Sequence, residues 1–259
     1  MDLGIAGRKA IICASSGGLG AACAQALAEA GCDVVINGRN GAKLETTATA
    51  IRSSTNRKVS VVQADIATPE GQAALFAACP DPDILVNNNA GPPFRDFREL
   101  SRQQMIEGVT ANMIVAIELI QKAIGPMTER RFGRIVNITW GGVKAPITGL
   151  DLSAGARAGL TAFLSGVARQ VAGSNVTINH LLPGAIETDR LQSNFASIAK
   201  NRGVTIEEAK VDRQAAIPAK RFGQPGEIGA TCAFLCSVQA GYITGQNILV
   251  DGGAFPGTF

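Results

Sequence analysis

The fold is decided by KAIICASSGGLG, residues 9–20, in which a short apolar run leads directly into a glycine-rich turn. The apolar run predicts a buried strand, and the glycines predict a tight turn at the start of a helix. Such a turn lets the backbone approach a phosphate group, and the free N–H groups of the helix N-terminus attract an anion. Glycine-rich turns are common, so the turn alone is weak evidence for phosphate binding. Its position between a first strand and a first helix is what supports that interpretation.

Apolar, β-branched runs alternate with helix-like stretches along most of the chain. The predicted strands are residues 9–14, 33–37, 59–64, 83–88, 134–139, 176–182 and 246–250. Several are apolar throughout, as strands are when helices cover both faces of a parallel sheet. The sequence therefore predicts an α/β protein, a three-layer doubly wound Rossmann-type fold with a seven-stranded parallel sheet.

The chain has the length of one large domain, and no repeat or linker divides it, so residues 1–259 are predicted to form a single dinucleotide-binding domain. The stretch from about 191 to 218 is more polar and follows the sixth strand. Segments that leave the carboxyl ends of such strands surround the ligand crevice. We expect a mobile, mostly helical lid here, with a plain surface insertion as the alternative.

Composition argues against several classes of function. The net charge is only +3, and the arginines between 130 and 134 have no interleaved aromatic residues, so no nucleic-acid partner is expected. Apolar runs stay well below the roughly 18 residues of a membrane span, and the first residues lack the features of a signal peptide. A cytoplasmic protein without a membrane partner is expected. The six cysteines form no Cys-x-x-Cys pair and the chain has one histidine, so reduced thiols and no metal site are predicted.

The end of the second predicted strand indicates which dinucleotide is bound. An NAD-binding chain usually has an acidic residue there to bind the ribose hydroxyls, whereas this chain has Gly38 followed by Arg39. A guanidinium pairs with the 2′-phosphate of NADP, which a carboxylate would repel. NADP(H) is therefore favoured over NAD(H), the alternative being that Arg39 is a solvated loop residue.

On these motifs the chain resembles the short-chain dehydrogenase/reductase family over nearly its whole length. Residues 13–20 are similar to the family's Thr-Gly-x3-Gly-x-Gly, with Cys and Ala in the first two positions, and residues 88–91 match its Asn-Asn-Ala-Gly motif. Residues 183–188, 242–246 and 251–253 are also typical. The resemblance implies that the cofactor is held by Ser15, Ser16, Gly18, Leu19, Arg39, Asp65, Ile66, Asn88, Asn89, Ala90, Gly91, Arg157, Pro183, Gly184, Ile186 and Thr188.

The resemblance also implies a catalytic Asn, Ser and Tyr-x3-Lys, and three of these four positions are changed. Asn112 fits the Asn position, but Trp140, Ser153 and Arg157 stand where the family has Ser, Tyr and Lys. The flanking residues keep the alignment, and the only tyrosine, Tyr242, lies in the closing segment. A serine hydroxyl is a far weaker acid than a tyrosine, and a guanidinium stays protonated, so the usual proton transfer cannot be carried over.

Other residues are candidates for the proton donor that the tyrosine provides in the family. Lys144, on the loop after the fifth strand, would serve if burial lowered its pKa, although an exposed loop cation is the more common case. The catalytic candidates are Asn112, Trp140, Lys144, Ser153 and Arg157. Thr139 and Asp151 are weaker ones, and His180, inside the sixth strand, is predicted to be a core imidazole with its hydrogen bonds satisfied.

Trp140 carries a hypothesis of its own. One branch of the family has Ser and Arg at the Tyr and Lys positions and a tail similar to PGTF, residues 256–259, but keeps serine where Trp140 stands. Trp140 is therefore interpreted as an introduced or recent substitution that reshapes the pocket.

Three functions stay open, in this order of preference. The first is an NADP(H)-dependent oxidoreductase that acts on a carbonyl or alcohol with an atypical active site. The second is a non-redox enzyme, a lyase, aldolase-like enzyme or isomerase, in which Lys144 is a base or Schiff-base amine. The third is a catalytically inactive dinucleotide-binding protein. The expected partners are a partly apolar small-molecule substrate and further copies of the chain, because small residues at 154–159 and the resemblance both imply a homodimer or homotetramer.

Overall fold

The computed structural model describes residues 2–258, apart from the side chains of Ser197 and Asn201, and shows one parallel sheet with helices on both faces. The strands are β1 Lys9–Ile12, β2 Asp33–Gly38, β3 Val59–Gln63, β4 Ile84–Asn87, β5 Gly133–Ile138, β6 Val176–Pro183 and β7 Asn247–Val250. The helices are α1 Gly18–Glu29, α2 Gly41–Thr55, α3 Pro69–Ala78, α4 Arg102–Val109, α5 Val115–Glu129, α6 Asp151–Val171, α7 Asp189–Arg202, α8 Ile206–Ala216 and α9 Pro225–Cys236. The predicted fold class is confirmed.

The strand order β3-β2-β1-β4-β5-β6-β7 places the turning point of the sheet between β1 and β4. The two strands pair in parallel, Ile12 opposite Val86, so the loops that follow them leave the same edge side by side. In doubly wound sheets ligands bind in the crevice at this point. The glycine-rich turn after β1 and the Asn-Asn-Ala-Gly segment after β4 both line it.

Strand residues alternate between two buried layers, as the period of a strand requires. Ile12 and Ile36 pack on one face under α1, α2 and α9, whereas Ile11 and Leu85 pack on the other under α5 and α6. Both layers are apolar, which explains why the strands show little polar alternation. The rigid sheet fixes the carboxyl edge on which the candidate residues lie.

The continuous helical stretch Arg102–Glu129 has 28 residues and contains an 18-residue window with a mean hydropathy of 1.2, so by length and composition it could cross a membrane. No such stretch was expected from the sequence. Its residues Val115, Leu119 and Ala123 are buried against the sheet, as in the core helix of a globular domain. Between α4 and α5, the turn Thr110–Ile114 is a π-helical turn, and such widened turns often occur at functional sites.

The predicted lid segment is helical and has a small core of its own. Phe195, Ala209, Ile217 and Phe222 are buried together, with the two phenylalanine rings 5.5 Å apart. Its helix α7 begins two residues before the predicted segment. The mobility of the lid stays a prediction. In the tail at 256–259, Phe259 lies outside the described residues.

Candidate active site

The turn after β1 presents the unobstructed N-terminus of α1. Gly17 precedes the helix without a side-chain cap, and Gly18 has φ of +55°, a backbone conformation that favours glycine. A methyl group on Gly20 would lie 2.8 Å from the Cα of Ser15, so only glycine allows the helix to start this close to the turn. The first N–H groups of α1 are therefore available to an anion.

Ser15, one of the predicted cofactor contacts, has a side chain that is engaged within the protein. Its hydroxyl donates to the Ile12 carbonyl at 2.7 Å and accepts from the Asn37 N–H at 2.9 Å, while its own N–H donates to the Asn37 carbonyl. The side chain is fully buried. Ser15 thus fastens β1 to β2 below the turn, and the neighbouring Ser16 and Leu19 have the partly exposed positions.

The two residues that depart from the family's turn motif have clear structural consequences. Ala14 has φ of +45°, where an L side chain is disfavoured, so it occupies a conformation that suits the family's glycine. Cys13 is fully buried, and this burial raises the pKa of its thiol to about 12. Cys13 therefore packs as an apolar side chain, and its thiol is unreactive.

The end of β2 forms an open pocket lined by Ser16, Arg39, Asn40, Gly41 and Gln63. The Arg39 side chain is 76% exposed, and its one ionic partner in the described part of the chain is Asp65, at the long distance of 4.0 Å. A methyl group on Gly38 would lie 3.2 Å from the Ser16 hydroxyl, so a larger residue there would crowd the pocket. A polar pocket with an accessible guanidinium suits a phosphate group.

The segment after β4 is tied to its neighbours through amide side chains. Asn88 donates to the Ala14 carbonyl at 3.2 Å, and Asn89 donates to the Ala111 carbonyl at 2.9 Å. These bonds hold the segment against both the glycine-rich turn and the π-helical turn. Ala90 is exposed and Gly91 is half-buried, so the segment presents backbone to the crevice.

Four predicted cofactor residues lie at the end of β6 or just after it, from Pro183 to Thr188. A methyl group on Gly184 would lie 2.7 Å from Asp251, and Ile186 is buried, so these two shape the loop after Pro183. The Thr188 hydroxyl caps the N-terminus of α7. The Thr188 methyl group is close to Gly18, since a methyl group added to Gly18 would lie 3.7 Å from it. Thr188 therefore lies over the glycine-rich turn. Ile66 is buried at the end of β3, next to the exposed Asp65.

Arg157 is held inside the protein by three hydrogen bonds. Its Nε donates to Asn112 Oδ1 at 3.0 Å, Nη1 to the Thr139 carbonyl at 2.9 Å, and Nη2 to the Asn89 carbonyl at 3.1 Å. Burial, and then the charge of Arg190, lower the pKa of Arg157 to about 10, so it stays protonated at neutral pH. A guanidinium has five N–H groups, so two remain for a ligand.

Ser153 lies one helical turn before Arg157 on α6 and is 4% exposed. A methyl group placed on Gly91 would lie 3.3 Å from Ser153 Oγ and 3.4 Å from Arg157 Nη2. Ser153, Arg157 and Asn112 are therefore brought together against the segment after β4, as the resemblance implies.

Trp140 lies two residues after β5, and its indole ring lies against Gly142, where any side chain would overlap the ring. The indole Nε1 is buried and has no hydrogen-bond partner among the described residues. The ring therefore fills the space next to the loop, and its N–H does not open onto a pocket in this arrangement.

Lys144 is half-buried, and its ammonium group lies 5.6 Å from the centre of the Phe255 ring. This cation–π contact accounts for its position without a catalytic role. Asp151 is exposed and its carboxylate accepts from the Gly149 N–H, whereas Thr139 is buried and donates to the Leu181 carbonyl.

Tyr242 is fully exposed. A methyl group on its neighbour Gly241 would lie 3.3 Å from Arg134 and 3.7 Å from Asn175, which lie at the amino ends of β5 and β6. The tyrosine is therefore at the edge of the sheet opposite Ser153. His180 is buried in β6, as predicted, but the expected hydrogen bonds are missing, since both ring nitrogens are unpartnered in the described part of the structure.

Arg190 is the residue that the sequence did not single out. It is in the first turn of α7, and its Nη2 would lie 3.2 Å from a methyl group on Gly91, on which Ser153 and Arg157 also converge. Residues 157 and 190 are distant in sequence, and no motif connects them, so only the fold shows that they meet.

The chain is similar to known reductases in both sequence and structure. A family profile described as Enoyl-(Acyl carrier protein) reductase matches residues 13–254. The chain is similar to the NADPH-dependent reductase BacG of Bacillus subtilis, 31% identical over 95% of this chain and 97% of the relative. It is similar to the 3-oxoacyl-[acyl-carrier-protein] reductase FabG of Aquifex aeolicus, 32% identical over 98% of this chain and 100% of the relative. The crystal structure of L-sorbose reductase from Gluconobacter frateurii with NADPH and L-sorbose superposes with a TM-score of 0.93, at 27% identity over 99% of this chain and 100% of that one.

Proposed function

The chain belongs to the short-chain dehydrogenase/reductase family, and we propose that it is an NADP(H)-dependent reductase of a carbonyl group with an altered catalytic set. The observation that carries the proposal is that Ser153 and Arg157 converge on Gly91 beside the glycine-rich turn. A hydroxyl donor and a fixed positive charge are what a carbonyl oxygen needs while it gains negative charge.

The residues at the crevice fit NADP(H). The N-terminus of α1, at Gly17 and Gly18, would bind the pyrophosphate through its free N–H groups. The exposed guanidinium of Arg39 would bind the 2′-phosphate. Asp65 and Ile66 would hold the adenine, and Thr188 and Gly91 would border the nicotinamide half. When bound, the cofactor supplies the hydride that reduces the carbonyl carbon.

The protein's own contribution is electrostatic. Ser153 Oγ would donate a hydrogen bond to the carbonyl oxygen, and the free N–H groups of Arg157 would stabilise its negative charge. Asn112 keeps the guanidinium in place through the bond to Nε. Neither Ser153 nor Arg157 is a good acid, so the proton that completes the alcohol is expected to come from water.

The other two functions have less support. An amine that forms a Schiff base must be free, but Lys144 lies on the Phe255 ring. An inactive binding protein would not need Ser153 and two arginines around one accessible point. BacG, FabG and the L-sorbose reductase are all named as reductases.

The test is kinetic. Ser153→Ala should lower kcat by about 10- to 100-fold through loss of one hydrogen bond to charge that develops in the transition state. Ser165→Ala, an exposed serine on the same helix, is the matched control. Ser153→Ala should leave the Kd for NADPH intact, because the hydroxyl acts on the carbonyl oxygen and not on the cofactor. Full activity of Ser153→Ala would refute the proposed mechanism.

A further inference from the structure

Three polar groups surround the point where a side chain on Gly91 would begin. They are Arg190 Nη2 at 3.2 Å, Ser153 Oγ at 3.3 Å and Arg157 Nη2 at 3.4 Å. No two of them can be farther apart than the sum of two such short distances. A ligand that lies beside Gly91 and carries two neighbouring polar groups can therefore reach all three.

Two of these groups carry positive charge, and the described part of the chain places no carboxylate between them. The side chain of Arg190 makes neither an ion pair nor a hydrogen bond there, whereas Arg202 and Arg221 are paired with carboxylates at 2.8 and 2.6 Å. Two guanidiniums that face each other without a counterion repel each other, and an anion between them removes this repulsion.

The position of Arg190 separates it from the predicted pyrophosphate site. Thr188, two residues earlier, lies over Gly18 in the glycine-rich turn, whereas Arg190 lies over Gly91 and Ser153. The cation proposed for the 2′-phosphate is Arg39, in the separate pocket at the end of β2. The anion at Arg190 is therefore expected on the side of the reacting carbonyl.

We propose that Arg190 binds a carboxylate of the substrate, next to the carbonyl group that is reduced. This inference rests on the proposed function and narrows the substrate class to 2-oxo or 3-oxo carboxylic acids, in which the two oxygen-bearing groups are one or two bonds apart. Ser153 Oγ then donates a hydrogen bond to the carbonyl oxygen of the substrate. Arg190 binds the substrate carboxylate through charge-assisted hydrogen bonds. Arg190 is a specificity-determining residue that touches the substrate.

The experiment compares acids with their neutral esters. Initial rates of NADPH consumption are measured with 2-oxobutanoate and 3-oxobutanoate and with the methyl ester of each. Arg190→Gln should lower kcat/KM for the acids by about 10- to 100-fold, the effect of losing one charged hydrogen bond, with less than about 2-fold change for the esters. Arg213→Gln, which removes an exposed arginine from α8, should change neither.

Each of the other outcomes overturns the inference in a recognisable way. Equal losses for acids and esters, or no loss, refute the carboxylate site and leave the proposed reductase standing. A matching rise in the Kd for NADPH in Arg190→Gln shows that the anion is the cofactor pyrophosphate.

A binding measurement decides the case in which no compound consumes NADPH. That result would refute the proposed function, while titration calorimetry of the NADP⁺ complex with 3-oxobutanoate still tests the site. Binding that is lost in Arg190→Gln supports a carboxylate site. Binding that is absent, or equal in the two proteins, overturns it.

Discussion

Arg39 is the single residue on which the choice of cofactor rests. Arg39→Ala should raise the Kd for NADPH by about 10- to 100-fold, because one charged hydrogen bond contributes about 1.5–3 kcal/mol. NADH lacks the 2′-phosphate, so its Kd should change less than about 2-fold. Fluorescence titration with both dinucleotides measures this, and an equal loss for both would show that Arg39 supports the pocket without binding the phosphate.

Ala14 offers a prediction on stability. Its φ of +45° costs a non-glycine residue about 1–2 kcal/mol. Ala14→Gly relieves this cost but gives the unfolded chain more freedom, so a net gain of up to about 1 kcal/mol in the free energy of unfolding is expected. Urea unfolding measures it. Arg52→Gly, within α2, is the contrasting change and should destabilise.

Some residues of the site could be predicted from the sequence alone, and others could not. The glycine-rich turn, Arg39 and Asn112 could be placed from their position in a strand–helix series. The fully buried Ser15 could not, because its hydrogen bonds to Ile12 and Asn37 depend on strand pairing. Arg190 could not either, since its contact with Gly91 is created by the packing of α7 over the crevice.

At the scale of elements, β6 contains a titratable group that has no hydrogen-bond partner among the described residues. Burial lowers the pKa of His180 from 6.5 to about 4. The unfolded chain therefore takes up the proton near pH 6.5, whereas the folded protein resists it until about pH 4. The stabilisation is complete above pH 6.5 and is lost as the pH falls towards 4, by up to about 3 kcal/mol.

His180→Leu should remove this part of the pH dependence. The free energy of unfolding, measured in urea from pH 7 to pH 4, should fall less steeply in the variant than in the unmodified protein. At pH 7 the variant should be at least as stable, since it removes two unpartnered buried nitrogens. Parallel pH profiles for the two proteins would contradict the account, because all other titrating groups are shared.

Strand positions were the most predictable elements, because their apolar composition follows directly from burial on both faces. Boundaries moved by one or two residues, as at β1, which ends at Ile12 so that Ala14 can turn. The π-helical turn around Asn112 was not predictable, since no local sequence pattern marks it and Asn112 meets Arg157 only in the folded protein.

At the scale of the whole molecule, α4 to α6 expose several large apolar side chains. Ile106 and Phe163 are each 49% exposed and Ile114 is 40% exposed. Of the small residues at 154–159, Ala154 and Ala156 are buried in their own fold, and Gly155 is the exposed one. We therefore predict that the chain associates through this surface as a homodimer or homotetramer.

Phe163→Glu should break that association, because a charge buried in an apolar interface lacks a partner. Light scattering after gel filtration should give two or four times the 26.7 kDa chain mass for the unmodified protein and a smaller assembly for the variant. Val211→Glu, on the exposed face of α8, is the control. A monomeric unmodified protein would contradict the prediction.

The measurement that tests the central claim most directly follows the absorbance of NADPH mixed with the purified protein and a panel of ketones, aldehydes and oxoacyl thioesters. The account predicts that NADPH binds and is consumed with at least one carbonyl compound, and that one alcohol forms for each NADPH oxidised. Tight binding of NADPH without consumption across the whole panel would contradict it, because the crevice would then hold the cofactor without reducing a carbonyl.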